Sequence, residues 1–316
     1  MKQPRSRFLL SAAALLAAAP SRVHAQGATP VRLGLVPNDD ATPVLYASSK
    51  GLFRAASLDV QLEPAANGGA ITAAVAGGSY DIGKATLSSL FDAHLRGIPF
   101  TILAPCAYYE KAGDLRPAGF IAAKSITDGA ALNDKVVACA SLNSLGRVAI
   151  SAWTEQNGGN WRSIKFVELP MTEGAAAIGQ GRIVAAESAM PVLQVALDTG
   201  NVKFIPASDA IGSAYLYTVW FTTREWSRAH PAAARAFARV VADAAAYTNT
   251  HRAETAPLVA QAGKLNVAVV EKMTRWTAAT TVSLPSIQLP LDAAAKYGAI
   301  PRSFPAEELI DPNALR

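Results

Sequence analysis

Two kinds of run alternate along this chain. Short apolar stretches rich in β-branched residues, at 31–36, 58–62, 81–83 and 100–104, read as strands. Between them lie helical patterns at 42–55, 70–76 and 86–96. Turn chemistry marks the junctions. Pro37-Asn38-Asp39-Asp40 closes the first strand, Asn67-Gly68-Gly69 precedes the second helix, and Gly77-Gly78 ends it. Pro43 falls at the start of the first helix, where its missing N–H is no loss.

The pattern then restarts. Strands are expected at 119–123, 135–140, 164–169, 183–186 and 202–205. Helices are expected from just after Ser144 to about 156, at 173–181 and at 191–199. One more strand, 217–222, precedes a helical end at 231–250, 254–262 and 267–278. The tail 285–316 reads as loop and short helix. Strand–helix alternation argues an α/β fold with a parallel sheet and helices on both faces. Two successive sets, followed by helices without a sheet of their own, imply two lobes, with the end returning to cover the first.

The first 25 residues change the charge picture. Lys2, Arg5 and Arg7 precede an apolar run at 8–19, Pro20 breaks it, and Val23-His24-Ala25 ends on a small residue before Gln26. That is the layout of a cleaved export signal. The run is about a dozen residues, against the ~20 needed to span a bilayer. The basic residues read Arg5-Ser6-Arg7 rather than a twin-arginine pair, and no Cys stands at the cleavage point, so a lipoprotein is not expected. The expected product is periplasmic and soluble. The whole chain carries 29 Lys+Arg and 24 Asp+Glu; four of the basic residues lie in the leader, which leaves 25 against 24. A nearly neutral chain gives no electrostatic footprint for nucleic acid.

A 51% apolar, 17% charged composition supports a large core. The two cysteines, Cys106 and Cys139, are read as buried free thiols, with pairing in an oxidising compartment as the alternative. Outside the leader, His94, His230 and His251 are isolated, so neither a metal nor another cofactor is expected.

Several stretches, in order, carry a family likeness. They are Val31-Arg32-Leu33-Gly34, Pro43-Val44-Leu45-Tyr46-Ala47, Lys50-Gly51-Leu52-Phe53, Leu58-Asp59-Val60 and Ala73 through Gly83 (AAVAGGSYDIG). His230-Pro231, Tyr247-Thr248-Asn249 and Lys296-Tyr297-Gly298 follow late in the chain. Together they resemble the solute-binding proteins of ABC importers in the nitrate/sulfonate/taurine group, within a superfamily that includes thiamine-pyrimidine synthases. The resemblance implies a two-lobed periplasmic-binding-protein fold of type II. Lobe one would be 27–105 with 214–316, lobe two 106–213, with the ligand cleft between lobes joined by a hinge. It implies capture of a small organic molecule, a sulfonate, a carboxylate or a nitrogen- or sulfur-containing compound. Hinge closure would deliver it to an inner-membrane permease with its cytoplasmic ATPase. One departure stands out: the family's Gly-x-Val-Asp-Ala reads Gly181-Arg182-Ile183-Val184-Ala185 here, so Glu187 and Ser188 are the nearer polar candidates.

In open α/β sheets, ligands sit at the carboxyl ends of strands, where helix N-termini offer free N–H groups. The candidates at such ends are Asn38, Asp39, Asn67, Gly68, Lys84 and Thr86, then Tyr108 by the hinge, then Asn143, Ser144 and Glu187. Each has a plainer reading. Asn38 and Asp39 also cap turns, Gly68 also turns the chain, Thr86 and Ser144 are competent N-caps, and Tyr108 also packs between lobes. Lys84 follows Gly83, where a helix is expected to begin. A cation there opposes the helix dipole and calls for an anion, either Asp39 or Asp40 or a ligand group.

Two rival functions remain in view. A sensing module for a membrane receptor would use the same cleft. A pyrimidine-synthase-like enzyme is disfavoured, since no cysteine-rich motif, nucleophile elbow or metal-binding His pair occurs.

Overall fold

The computed structural model describes residues 27–65, 67–111, 113 and 116–310; the expected leader lies outside them. The first set contains β1 (Thr29–Leu35), α1 (Thr42–Ser49), α2 (Leu52–Ala55) and β2 (Leu58–Pro64). It continues with α3 (Gly68–Ala76), β3 (Ile82–Thr86), α4 (Leu87–Leu95) and β4 (Phe100–Glu110). The helix expected at 42–55 is two helices. Gly51 between them takes φ 70°, a left-handed turn that suits glycine. β4 runs through Pro105 to Glu110, six residues beyond expectation, because β10 pairs along its whole length.

The second set contains β5 (Ala118–Ala122), β6 (Val136–Cys139), α5 (Leu145–Gln156), β7 (Lys165–Glu168) and α6 (Gly174–Gly179). β8 (Ala185–Ala189), α7 (Val192–Asp198) and β9 (Lys203–Ile205) complete it. β8 starts later than expected because pairing with β5 begins only at Ala185. Glu187 and Ser188 are therefore inside the strand, not beyond it.

The return contains β10 (Ala214–Thr223), α8 (Arg224–Ala229), α9 (Pro231–Thr250), α10 (Arg252–Gly263) and α11 (Val267–Lys272). β11 (Thr277–Ala278) and α12 (Leu284–Lys296) end it. The helix expected at 267–278 stops at Lys272. Met273 turns extended (ψ 155°), and Thr277 and Ala278 join the edge of β4. The tail also differs. Ser283 caps a 13-residue helix with Pro285 in its first turn, where proline is tolerated.

The strands form two sheets, β11-β4-β10-β3-β1-β2 and β7-β6-β8-β5-β9. Neither is wholly parallel, contrary to expectation. β1 runs parallel to β2 and β3, but β10 is antiparallel to β3 and β4. Likewise β6 is parallel to β7 and β8, while β5 is antiparallel to β8 and β9. Apart from the two-residue edge strand β11, which also runs antiparallel to β4, the antiparallel strand in each sheet is the first one laid down as the chain arrives from the other. With that correspondence, β2-β1-β3-β10-β4 and β7-β6-β8-β5-β9 share one topology.

Three apolar clusters support this frame. α9 places Phe237, Val241 and Ala244 against Val44, Leu103 and Trp220 of the first sheet's side. α10 and α11 place Val259 and Val270 with Ile121, Ala177 and Leu193 of the second sheet's side, while α10 also packs on α1 of the first. α12 places Ile287 and Leu291 in a third cluster that joins Leu87 and Phe91 to Phe120 and Ile150. The C-terminal segment thus holds both halves. Cys106 and Cys139 are free and buried.

Candidate functional site

The loop after β1 is pinned by two buried ion pairs. Asp39 is 3% exposed and Asp40 5%. The Arg275 Nε donates to Asp39 Oδ1, and the Trp276 backbone N–H donates to Asp39 Oδ2 at 2.7 Å. The Arg275 Nη2 donates to the Thr42 hydroxyl at 3.1 Å. Burial pushes the Asp39 carboxyl up, and the Arg275 charge opposes that shift. Lys84 donates to both Asp40 Oδ1 and Asn38 Oδ1.

This changes the reading of Lys84. It lies within β3 and not at a helix start, so the dipole argument does not apply. Its compensating anion is Asp40. Cys106 also joins the cluster, its Sγ donating to the Asp40 carbonyl at 3.1 Å, and burial pushes that thiol up.

The other candidates of the first half are placed as follows. Asn67 caps α3, accepting from the Ala70 N–H at 2.9 Å. Gly68 opens that helix, and an added Cβ would meet nothing closer than the Ser89 hydroxyl at 3.7 Å, so packing alone does not demand glycine. The Thr86 hydroxyl bonds Ser88 at 3.0 Å and does not cap α4 through its side chain. The Tyr108 hydroxyl donates to the Thr281 carbonyl at 3.1 Å, which ties β4 to the segment before α12.

In the second half, Ser144 caps α5 by accepting from the Arg147 N–H at 3.0 Å. The same hydroxyl donates to Glu187 Oε2 at 2.7 Å, and the Ala140 N–H donates to that oxygen at 2.9 Å. Asn143 lies in the turn just before, its N–H bonded to the Ser141 hydroxyl at 3.3 Å. Glu187 is 4% exposed, and burial pushes its carboxyl above the ordinary value. The backbone of Gly146 lies directly against it: a Cβ there would stand 2.0 Å from Glu187 Cδ. Ser188 is fully buried, its hydroxyl sealed without a partner.

Tyr217 of β10 is 6% exposed, its ring 4.8 Å from that of Trp276. Burial, then the carboxylates of Glu187 from the second sheet and Asp40 from the first, with Tyr215 between them in weight, push its phenol far above the ordinary value. Sequence reasoning missed this part. Tyr217 was visible only as a strand residue, and Trp276 and Arg275 fell inside an expected helix. The Tyr215-Leu216-Tyr217 alternation was a usable signal for β10; nothing in the sequence links Arg275 to Asp39. Among the described residues, no group of His, Cys, Asp or Glu is placed to hold a metal ion.

Two α/β units that share one five-strand topology define the fold of the periplasmic binding proteins. A model of the NMT1/THI5-like family matches residues 38–255, and the chain belongs to that family. It is similar to the periplasmic aliphatic sulphonate binding protein SsuA of Escherichia coli, with 18% identity, TM-score 0.74, and coverage of 91% of this chain and 99% of that one. It is also similar to the periplasmic nitrate-binding protein NrtA of Synechocystis, with 15% identity, TM-score 0.74, and coverage of 91% and 87%. The desulfurization enzyme DSZB shares the fold as well, with 13% identity, TM-score 0.66, and coverage of 91% and 97%. A search of curated protein sequences gave no match.

Proposed function

We propose that this chain is the solute-binding component of an ABC importer and not an enzyme. It captures a small molecule in a periplasmic cleft and hands it to an inner-membrane permease driven by a cytoplasmic ATPase. The observation that carries this reading is the presence of two sheets of like topology in one chain, with the buried ring of Tyr217, on the strand that returns to the first sheet, packed on Trp276. Ligands of α/β proteins bind at the carboxyl ends of the strands. The solved relatives named as sulphonate- and nitrate-binding proteins use this fold, which supports the same role here.

In this reading the lobes are 27–105 with 214–316 and 106–213, the α10–α11 segment packing on both. Contacts from both lobes favour the closed form, and closure is what the permease reads. Of the strand-end residues, Asn38, Asp39 and Lys84 hold the loop that faces the ligand. Asn67, Gly68, Thr86, Asn143, Ser144 and Glu187 line the helix starts, and Tyr108 steadies the hinge.

Thermal unfolding against a panel of sulfonates, nitrate, carboxylates, amines and amidines tests the proposal. A ligand at a hundred times its dissociation constant stabilises the fold by ~2.7 kcal/mol. One chemical class is expected to raise Tm, with a smaller radius of gyration in solution scattering. A flat panel, or a hit that is turned over chemically, would overturn it.

A further inference from the structure

α12 starts beside the crossing between the two halves. The Tyr108 hydroxyl of β4 donates to the Thr281 carbonyl at 3.1 Å and lies 3.4 Å from the Ser286 hydroxyl. Leu289 lies against Gly212, just before β10, where an added Cβ would stand 2.4 Å from the leucine Cδ2. The helix packs on α4 and β10 of the first half. At 13 residues it is ~20 Å long, so its last turn stands well away from the crossing. Gly298, at φ 66°, follows it in a left-handed turn, and the tail goes back to the first half, where Phe304 meets Phe91 edge-on at 6.2 Å. The corner at Lys296-Tyr297 reaches α5 of the second half.

Tyr297 grips that helix at two points. Its carbonyl accepts from Arg147 Nη1 at 3.1 Å, and its hydroxyl donates to Glu155 Oε2 at 2.7 Å. Residues 147 and 155 lie about two turns apart, so the tyrosine runs lengthwise along α5. Lys296 Nζ donates to the same Glu155 oxygen at 2.7 Å. The Trp161 ring stands edge-on to the Tyr297 ring at 5.5 Å. Leu291 and Ala294 of α12 share an apolar cluster with Val148 and Ala152 of α5.

This contact is built to yield. Lys296 and Glu155 are exposed, and an exposed pair is worth little by itself. The corner is also the part of α12 farthest from the crossing, where a rotation of one half against the other displaces atoms most. Tyr297, in contrast, is only 4% exposed, so parting it from α5 returns a buried ring to water. A contact of that kind biases a two-lobe equilibrium without freezing it.

We propose that Tyr297 is a latch between the lobes: with Lys296 it fastens the end of α12 to α5 and holds the cleft shut from outside the strand-end site. It is a positioning residue. The inference rests on the solute-binding reading above and adds a control on it. A protein that supplies part of its own closure leaves less for the solute to supply, and the apparent affinity for any solute rises with the closed fraction.

The test needs no solute. Small-angle scattering of the purified chain reads the radius of gyration, at low ionic strength, where exposed pairs are least screened. Tyr297→Ala is expected to raise the radius, toward a more open form. Glu155→Gln, a surface change, is expected to raise it by less. Glu155→Lys sets a cation against Lys296, with Arg162 also near, and is expected to expand the chain more than Glu155→Gln does. Adding Lys296→Glu restores opposite charges and is expected to bring the radius back to the wild-type value. A simple loss of packing would not be repaired in that way.

Unchanged radii in Tyr297→Ala and Glu155→Lys overturn the latch, because α12 and α5 then move as one block. So does a double variant as expanded as Glu155→Lys alone. If Tyr297→Ala loses its cooperative unfolding, the Glu155 variants decide the matter by the same two criteria. Either failure leaves the solute-binding role standing, which the thermal panel tests by itself.

Discussion

The two sides of the cleft treat charge in opposite ways. On the first sheet's side, four ionised groups are buried as two pairs, Asp39–Arg275 and Asp40–Lys84. They cross-link the β1 loop to β3 and to the strand-edge segment at 275–278. On the second sheet's side, Glu187 is buried with two neutral donors and no described ion-pair partner, and Arg147 of α5 is half-buried with none either, its Nε sealed without a hydrogen bond. The first arrangement fixes geometry and leaves no net charge to offer. The second leaves a buried acid and a half-buried base each without a partner of opposite charge. A buried pair is weak evidence for stability, but breaking one exposes its full desolvation penalty.

Three changes would break or sharpen this contrast. The largest effect is expected from Arg275→Met, which strands a carboxylate whose side chain is 1% exposed. It should cost about 3–5 kcal/mol in urea unfolding. The double change with Asp39→Asn should cost less than Arg275→Met alone, since no lone charge then remains. A single change as harmful as the double would refute the pairing.

Next comes Gly146→Ala. Its methyl would overlap Glu187 Cδ and should cost about 1–3 kcal/mol through overpacking. In a Glu187→Ala background most of that cost should vanish, because the clashing atoms are gone. Equal costs in both backgrounds would show that Gly146 is not there for Glu187.

The smallest effect is a slope. The folded-state value of the Glu187 carboxyl lies above its ordinary 4.5. Near and below pH 4 the group is protonated in both states and costs nothing. As pH rises through 4.5 toward the raised folded value, the unfolded chain ionises first and stability is lost, at about 1.4 kcal/mol for each unit between the two values. Glu187→Gln should lose less stability than wild type between pH 4 and 7. Parallel curves would mean that Glu187 is not the buried titrating group.

Much of the frame was legible in the sequence because it is local. Alternating strands and helices, the turn at Asn67-Gly68-Gly69, Ser144 as a cap, and Pro231 at a helix start all act within a few residues, whereas Thr86, also read as a cap, bonds Ser88 instead. What was missed depends on distant partners. β10 and β5 run antiparallel because of where the chain comes from, and no pattern inside either strand reveals that. Lys84 looked like a helix-start cation because Gly83 looked like a stop. It is a strand residue because Trp220 of β10 lies opposite it. Arg275 and Trp276 leave helical geometry for a carboxylate more than 200 positions earlier. α12 was hidden by Pro285 and Pro290, the second of which sits inside the helix. The polar candidates on strand ends were named by rule, whereas the aromatic pair of Tyr217 and Trp276 came only with the fold.

The order of strands has a consequence for how the chain is made. β3 and β4 leave the ribosome early, yet they never pair with each other; the place between them belongs to β10, which begins only at Ala214. A growing chain shorter than that has a first sheet with a gap at its centre and a β4 with no neighbour. The second sheet, β5 to β9, is meanwhile complete in one continuous stretch. Folding of the first half is therefore postponed until most of the polypeptide exists. Under the proposed periplasmic role the chain crosses a membrane before it folds, and such lateness is then an advantage built into the topology itself.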